Sequence, residues 1–136
     1  MASLNPNIDH NSVKILVVDD IPLNIMLIDK MMGIHHLKTQ QAHSGIQALD
    51  MIAQDCPHIV LLDLIMPEMD GYQVISKIRE TYTKEELPIV VLSALNANDN
   101  IVKAMKLGAN DYITKPVIAE RLFNIVFALL NTKLAQ

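Results

Sequence analysis

Three carboxylates, one hydroxyl and one ammonium stand out in this chain because each closes a short apolar run. Asp19-Asp20 follow "KILVV" (Lys14–Val18), Asp63 follows "HIVLL" (His58–Leu62), Ser93 follows "PIVVL" (Pro88–Leu92) and Lys115 follows "DYIT" (Asp111–Thr114). A charge stranded at the mouth of a hydrophobic core is costly unless something pairs with it. Three carboxylates gathered in one small space repel, and one of them keeps its proton unless a cation intervenes. Oxygen ligands without a nearby His or Cys suit a hard divalent ion, and Mg²⁺ takes one or two carboxylates together with water and phosphate. Lys115 would add a fixed positive charge and Ser93 a hydroxyl, a cradle for a tetrahedral anion beside the metal. Positioning a phosphoryl group and neutralising its oxygens is most of what phosphoryl transfer requires.

The elements that must bring these groups together are five apolar runs alternating with helix-like segments. Besides the four runs above, "LKTQQA" (Leu37–Ala42) reads as a weaker, more alternating strand suited to a sheet edge. The runs ending at Val18, Leu62 and Leu92 are apolar without alternation, as in strands covered on both faces. Helices are expected over Pro22–Met32, Ile46–Gln54, Tyr72–Tyr82, Ala97–Leu107 and Ile118–Lys133. Ser44 and Asp70 are placed to cap the second and third, and Gly33 and Gly108 to end the first and fourth. Five βα units imply a parallel sheet between helix layers, joined by right-handed crossovers. Such sheets bind ligands beyond the carboxyl ends of their strands, so Asp19, Asp20, Asp63, Ser93 and Lys115 should converge on one rim.

The 136 residues fit one domain, with 51% hydrophobic residues to fill a core. A formal charge of −4 argues against a nucleic-acid-binding surface. Cys56 is the single cysteine, so no internal disulfide can form and a reducing compartment is expected. No run approaches the roughly 18–20 apolar residues of a membrane span, and "MASLNPNIDHNS" lacks the pattern of a signal peptide. These features predict a cytoplasmic protein with a flexible leader over residues 1–12, a domain over 13–133, and a terminal stretch over 134–136.

Together, "VVDD", "LLDLIMPEMDG", "LSA" and "DYITKP" resemble the receiver domain of two-component response regulators and hybrid histidine kinases, over about residues 13 to 133. The resemblance implies an α/β, flavodoxin-like fold: a doubly wound, five-stranded parallel sheet of order 2-1-3-4-5, an order for which this family is itself a standard example. It implies that Asp63 is the phosphoacceptor, taking a phosphoryl group from the phosphohistidine of a sensor histidine kinase or histidine phosphotransfer protein. Asp20 would ligate Mg²⁺ (or Mn²⁺) directly, Asp19 mainly through water, and the Ile65 backbone carbonyl would complete the protein ligands alongside Asp63. Ser93 and Lys115 would hold phosphoryl oxygens, with Ser93 and Tyr112 acting as the switch pair and a cis peptide before Pro116. Such a domain is a phosphoacceptor switch and not an enzyme acting on a separate substrate. "DDIPLN", with Asn24, is nearer to receivers of hybrid kinases and multidomain regulators than to the chemotaxis type. No output domain is expected within the chain, and a free-standing regulator and a part of a longer one both stay open.

Asp19-Asp20 alone could simply cap a helix, but not with Asp63 and Lys115 in register. Haloacid-dehalogenase-type hydrolases also use a strand-end aspartate, yet they need an acid two residues later, where this chain has Ile65. A pseudo-receiver would lack the acceptor, the acid pair or the lysine, and none is missing. The five histidines show no metal-ligand spacing, and most of the eight methionines fall at helical or strand core spacings as flexible fillers. Ile65 and Leu95, two residues after Asp63 and Ser93, are apolar and cannot orient an attacking water, which predicts a slowly hydrolysed phosphoryl group. In the last helix, Leu122, Ile125, Val126 and Leu129 form a core stripe, and Phe123, Phe127, Leu130 and Leu134 a second. Either the second stripe is buried against its neighbours, or Phe123 and Phe127 form an interface with the fourth helix and fifth strand. The latter is the favoured expectation, for homodimer or output-domain docking.

Overall fold

A computed structural model of the protein describes residues 2–134. Its order is β1 (Ile15–Val18), α1 (Pro22–Ile34), β2 (Thr39–Ala42), α2 (Gly45–Gln54), β3 (Ile59–Leu62), α3 (Gly71–Arg79), β4 (Ile89–Ser93), α4 (Asn98–Leu107), β5 (Asp111–Thr114) and α5 (Ala119–Leu134). The strands are parallel in the order β2-β1-β3-β4-β5, which matches the expected sheet.

Every residue of β1, β3 and β4 is buried, because helices cover both faces of the central strands. Side chains alternate between two cores. Ile15, Val17, Ile59, Leu61, Val90 and Leu92 join the layer under α1 and α5. Leu16, Val18, Val60, Leu62, Ile89 and Val91 join the layer under α2, α3 and α4. Each such side chain contributes about 1.5–3 kcal/mol on burial. The polar β2 lies at an edge, as its composition predicts.

The caps at Ser44 and Asp70 form, the latter as a capping box with Gln73. Gly108 closes α4 in the left-handed region, at φ 117°. Gly33 does not close α1, which runs on through Ile34; the left-handed residue is His36, at φ 61°. Helix α3 ends at Arg79, before the expected Tyr82. Past it, the Arg79 guanidinium donates to the carbonyls of Tyr82, Thr83, Leu87 and Gly108, pulling the chain into a turn toward β4.

Two expectations are corrected on the α1–α5 side. The N-terminal segment is not a free leader, because Leu4 and Ile8 are buried in the core and Asn5 is bonded to Asn131 of α5. Nor do Phe123 and Phe127 lie on the α4–β5–α5 face. Phe127 is fully buried, Phe123 is half-buried, and their stacked rings meet the edge of His35 at centroid distances of 4.4 and 4.8 Å. The end of α1 and the N-terminal segment thus supply the neighbours that a lone helix on a sheet would lack. Leu134 belongs to α5, and residues 135–136 lie outside the described residues.

Candidate functional site

Parallel pairing continues one residue past the strand ends and fixes the backbone of each site residue. The Asp19 N–H donates to the Ala42 carbonyl, that of Asp63 to Val18, and that of Lys115 to Ser93, at 3.1, 3.0 and 2.8 Å. Asp19 and Asp63 are buried at 4% and 6% exposure, while Asp20 is half-buried. Carboxylate oxygens of all three lie within 4.8 Å of one another. Two unit charges at that distance repel by about 3.5 kcal/mol at an effective dielectric constant of ~20. Lys115 offsets part of this: its Nζ donates to Asp19 Oδ2 at 3.1 Å and to Asp63 Oδ2 at 3.2 Å. The other oxygens of these two acids accept from backbone, Asp19 from the Ile21 N–H at 2.9 Å and Asp63 from the Ile65 N–H at 3.2 Å. Burial pushes the Asp63 carboxyl above the ordinary aspartate value of 3.8, a shift that the Ile65 N–H and the Lys115 charge only partly reverse.

One atom in the cluster is left without a partner. Asp20 Oδ1 is buried and accepts no hydrogen bond. Such an atom needs an explanation, and a hard cation shared with Asp19 and Asp63 supplies one. The three acids fit a divalent ion in number, charge and ligand type.

The other expected residues also reach the rim. Ser93 is fully buried as the last residue of β4, and its Oγ accepts from the Leu95 N–H at 3.2 Å. Tyr112 is buried in the α2–α4 layer and donates its hydroxyl to the Leu95 carbonyl. Burial raises its pKa above the ordinary tyrosine value. The Lys115–Pro116 peptide is cis. Ile65 is exposed at the mouth of the site and Leu95 is half-buried.

Three features went unremarked at the sequence level. Gly71 is pressed against the backbone that carries Asp63: a Cβ there would lie 2.4 Å from the Asp63 carbonyl oxygen. Glu68, in the same loop, holds a left-handed conformation at φ 66°. A mostly apolar cavity of about 400 Å³ runs from Asp19, Asp63 and Lys115 down between Leu27 and Met31 of α1 and Val117. The signal for the cavity was present in "PLNIMLIDKMMGI", a helix with scarcely a polar face.

This sheet order, with an acid cluster and a lysine converging at its carboxyl edge, is the architecture of a receiver domain. The chain belongs to the response regulator receiver domain family, whose family model matches residues 15–127. It is 37% identical over 123 residues to the response regulator PleD of Caulobacter vibrioides, covering 90% of this chain and 27% of PleD. It is 39% identical over 120 residues to the response regulator MprA of Mycobacterium tuberculosis, covering 88% of this chain and 51% of MprA. The fold superposes on a two-component response regulator from Clostridium difficile with a TM-score of 0.82 at 27% identity, covering 88% of this chain and 97% of that one. A two-component system response regulator/GGDEF domain protein gives a TM-score of 0.85 at 28% identity over 91% of this chain and 51% of its own. The chain thus spans between 27% and 51% of the length of these curated relatives. Among the described residues, no helix is long and apolar enough to cross a membrane.

Proposed function

We propose that this receiver domain takes part in phosphorelay signalling by accepting a phosphoryl group on Asp63, in a reaction that depends on Mg²⁺. A carboxylate oxygen of Asp63 attacks the phosphorus of a phosphohistidine. The new P–O bond forms as the P–N bond breaks, and the histidine nitrogen keeps the electron pair. Asp20, Asp19 and Asp63 would hold the metal together with the Ile65 carbonyl, and the bound ion would neutralise charge on the transferred group. Lys115 stands between Asp19 and Asp63, where its ammonium can turn from carboxylate to phosphoryl oxygens. Ser93 would donate to the same group, and its movement would be relayed to Tyr112 through Leu95, which both side chains touch. The observation that carries this reading is the buried, unpartnered Asp20 Oδ1 beside two acids bridged by one lysine.

The domain catalyses its own modification and is not an enzyme in the ordinary sense. Its phosphoryl group should be long-lived, because Ile65 and Leu95 offer no polar group to orient water. The donor would be a cytoplasmic sensor histidine kinase or histidine phosphotransfer protein. Leu23, Met26 and Leu27 of α1, with Ile65 and Ile118, give it an exposed apolar surface around the acceptor. Output-domain docking or homodimerisation at the α4–β5–α5 face would use exposed Val102 and Met105, and not the buried Phe127.

The test is mass spectrometry after incubation with acetyl phosphate and Mg²⁺. The wild type should gain one phosphoryl group, Asp63→Asn none, and Asp20→Ala should stay folded but need far more Mg²⁺. A fully modified Asp63→Asn protein would remove the assignment.

A further inference from the structure

The cavity beside α1 runs deeper than a docked protein surface reaches. Its floor is the sheet itself, formed by Val17 of β1, Leu61 of β3 and Leu92 of β4, all buried in the core. Ile28 and Met31 of α1 line one side and Val117, just past β5, another. Its volume of about 400 Å³ lies within the roughly 300–1,000 Å³ of small-molecule sites, which are likewise mostly apolar with a few polar groups at one end. A broad protein surface cannot enter a slot that passes behind a helix to the sheet, whereas a single flexible chain can.

The mouth of the cavity selects the other end of such a ligand. Asp19, Asn24, Asp63 and Lys115 line it, and one oxygen of Asp20 lies within 4.8 Å of an oxygen of each of the other two acids. The Lys115 ammonium is already bonded to Asp19 and Asp63, at 3.1 and 3.2 Å, so an anionic head would meet carboxylates and no free cation. Three acids against one ammonium leave the mouth negative, and Asp20 Oδ1 has no hydrogen-bond partner. A primary ammonium carries three donors and no acceptor, the complement of a rim rich in acceptors.

We propose that this cavity binds small amphiphilic cations, primary alkylamines of medium chain length. The ammonium sits on the acid cluster, and the chain runs between Met31 and Val117 to the sheet. The same acids hold the divalent ion in the proposed function, and a bound ion cancels the charge that draws the ammonium. Amine and Mg²⁺ therefore oppose each other, and by the same factor in both directions. An amine in the cavity keeps the domain unphosphorylated until metal displaces it. That antagonism toward phosphorylation rests on the reading of Asp63 as the phosphoacceptor; the binding itself does not.

The experiment titrates the full chain, free of divalent ions, with n-butylamine, n-hexylamine and n-octylamine in a calorimeter. Each methylene that enters the cavity should tighten binding about fourfold, so octylamine should bind one site per chain more than tenfold better than butylamine. Octanoate and octanol, with the same chain, should bind at least tenfold more weakly than octylamine. Saturating Mg²⁺ should weaken octylamine at least tenfold and leave octanol unchanged, and Asp20→Ala should likewise weaken octylamine alone. In acetyl phosphate labelling, octylamine should slow phosphorylation and added Mg²⁺ should restore the rate. Octanoate or octanol binding as well as octylamine would overturn the proposal, as would an affinity that does not rise with chain length. Octylamine that Mg²⁺ fails to displace would overturn it too. A chain that binds octylamine in competition with Mg²⁺ yet takes no phosphoryl group would uphold the cation site and refute the phosphoacceptor reading instead.

Discussion

Replacing Gly71 by alanine tests how closely the β3–α3 junction holds Asp63. The added Cβ would meet the Asp63 carbonyl oxygen at 2.4 Å, Leu64 Cα at 2.6 Å and Leu64 Cδ2 at 2.9 Å. Two of these atoms are backbone, so no side-chain rotation relieves the contact. The Gly71 N–H also donates to the Leu64 carbonyl at 2.9 Å, and the Asp70 capping box fixes the first turn of α3. Ordinary contact begins near 3.4 Å, so α3 and the strand end must separate by about 1 Å. Forced shifts of this kind cost about 1–3 kcal/mol. For 136 residues, an unfolding entropy of about 2.1 cal/mol/K per residue converts that to a melting temperature lower by about 4–10 °C. Asp63 moves with the junction, away from Lys115, and a loss of about 1.4 kcal/mol in the transition state slows phosphorylation roughly tenfold. Calorimetry and timed acetyl phosphate labelling measure the two effects. Gly33→Ala is the control: nothing lies within 4 Å of its Cβ, and alanine in a helix should gain up to about 1 kcal/mol with unchanged labelling. If Gly71→Ala melts and labels like wild type, the junction is compliant and does not set the position of Asp63.

Three further outcomes are expected. Ile65→Asn/Leu95→Glu should shorten the lifetime of phosphorylated protein in Mg²⁺ by tenfold or more, and decay at the wild-type rate would remove water exclusion as its cause. Glu68→Gly should raise stability by about 0.5–1 kcal/mol, since a left-handed conformation costs a non-glycine residue roughly 1–2 kcal/mol and glycine loses part of that in chain entropy; a lower melting temperature would show that the Glu68 side chain is needed there. The pKa of His58 is lowered from 6.5 by burial first, then by the charges of Lys133 and Lys14, and its Nδ1 accepts from the Lys14 N–H. The unfolded chain therefore binds more protons than the folded one just below pH 6.5, so stability is full above that pH and falls as pH drops through the lowered value. Melting curves of wild type and His58→Asn between pH 7.5 and about 5 should converge at the acid end, and parallel curves would contradict the shift.

Much of the sheet and most of the rim were legible because their signals are local. A strand covered on both faces leaves an unbroken apolar run, and the polar residue that ends it marks the rim, so Asp63 and Ser93 could be placed from four or five neighbours. Gly33 misled for the same reason. It follows the last apolar residue expected in the helix, but the turn is made by His36 once α1 has used Ile34. What could not be read depends on residues distant in the chain. The second stripe of α5 is satisfied by His35 and by a segment more than a hundred residues earlier, held where Asn5 meets Asn131. Arg79 likewise ends α3 by reaching Gly108, a carbonyl that only the fold brings near.

The two edges of the sheet are built to different rules, and the difference explains where ligands go. At the edge where the strands begin, polar groups are matched: Lys14 pairs with Asp55, His58 accepts from Lys14, and Asn110 joins Arg79, Lys84 and Ile89. At the carboxyl edge they are not. There two buried acids share one lysine, Oδ1 of the third, Asp20, has no partner, Glu68 sits in a left-handed conformation and α1 turns Leu23, Met26 and Leu27 to solvent. Each feature is unfavourable for the domain alone, and all but the Glu68 conformation are of a kind that a bound ligand relieves. On the proposed function, a divalent cation would answer the acids, a phosphoryl group would give Lys115 a new partner, and an apolar protein surface would cover α1. Local inconsistencies that gather at one edge of an otherwise consistent fold mark a binding edge rather than poor packing. The same reasoning separates Asp63 from an ordinary buried acid: its raised pKa is a liability in the free domain that metal binding would reverse, so binding and stability should rise together as the site fills.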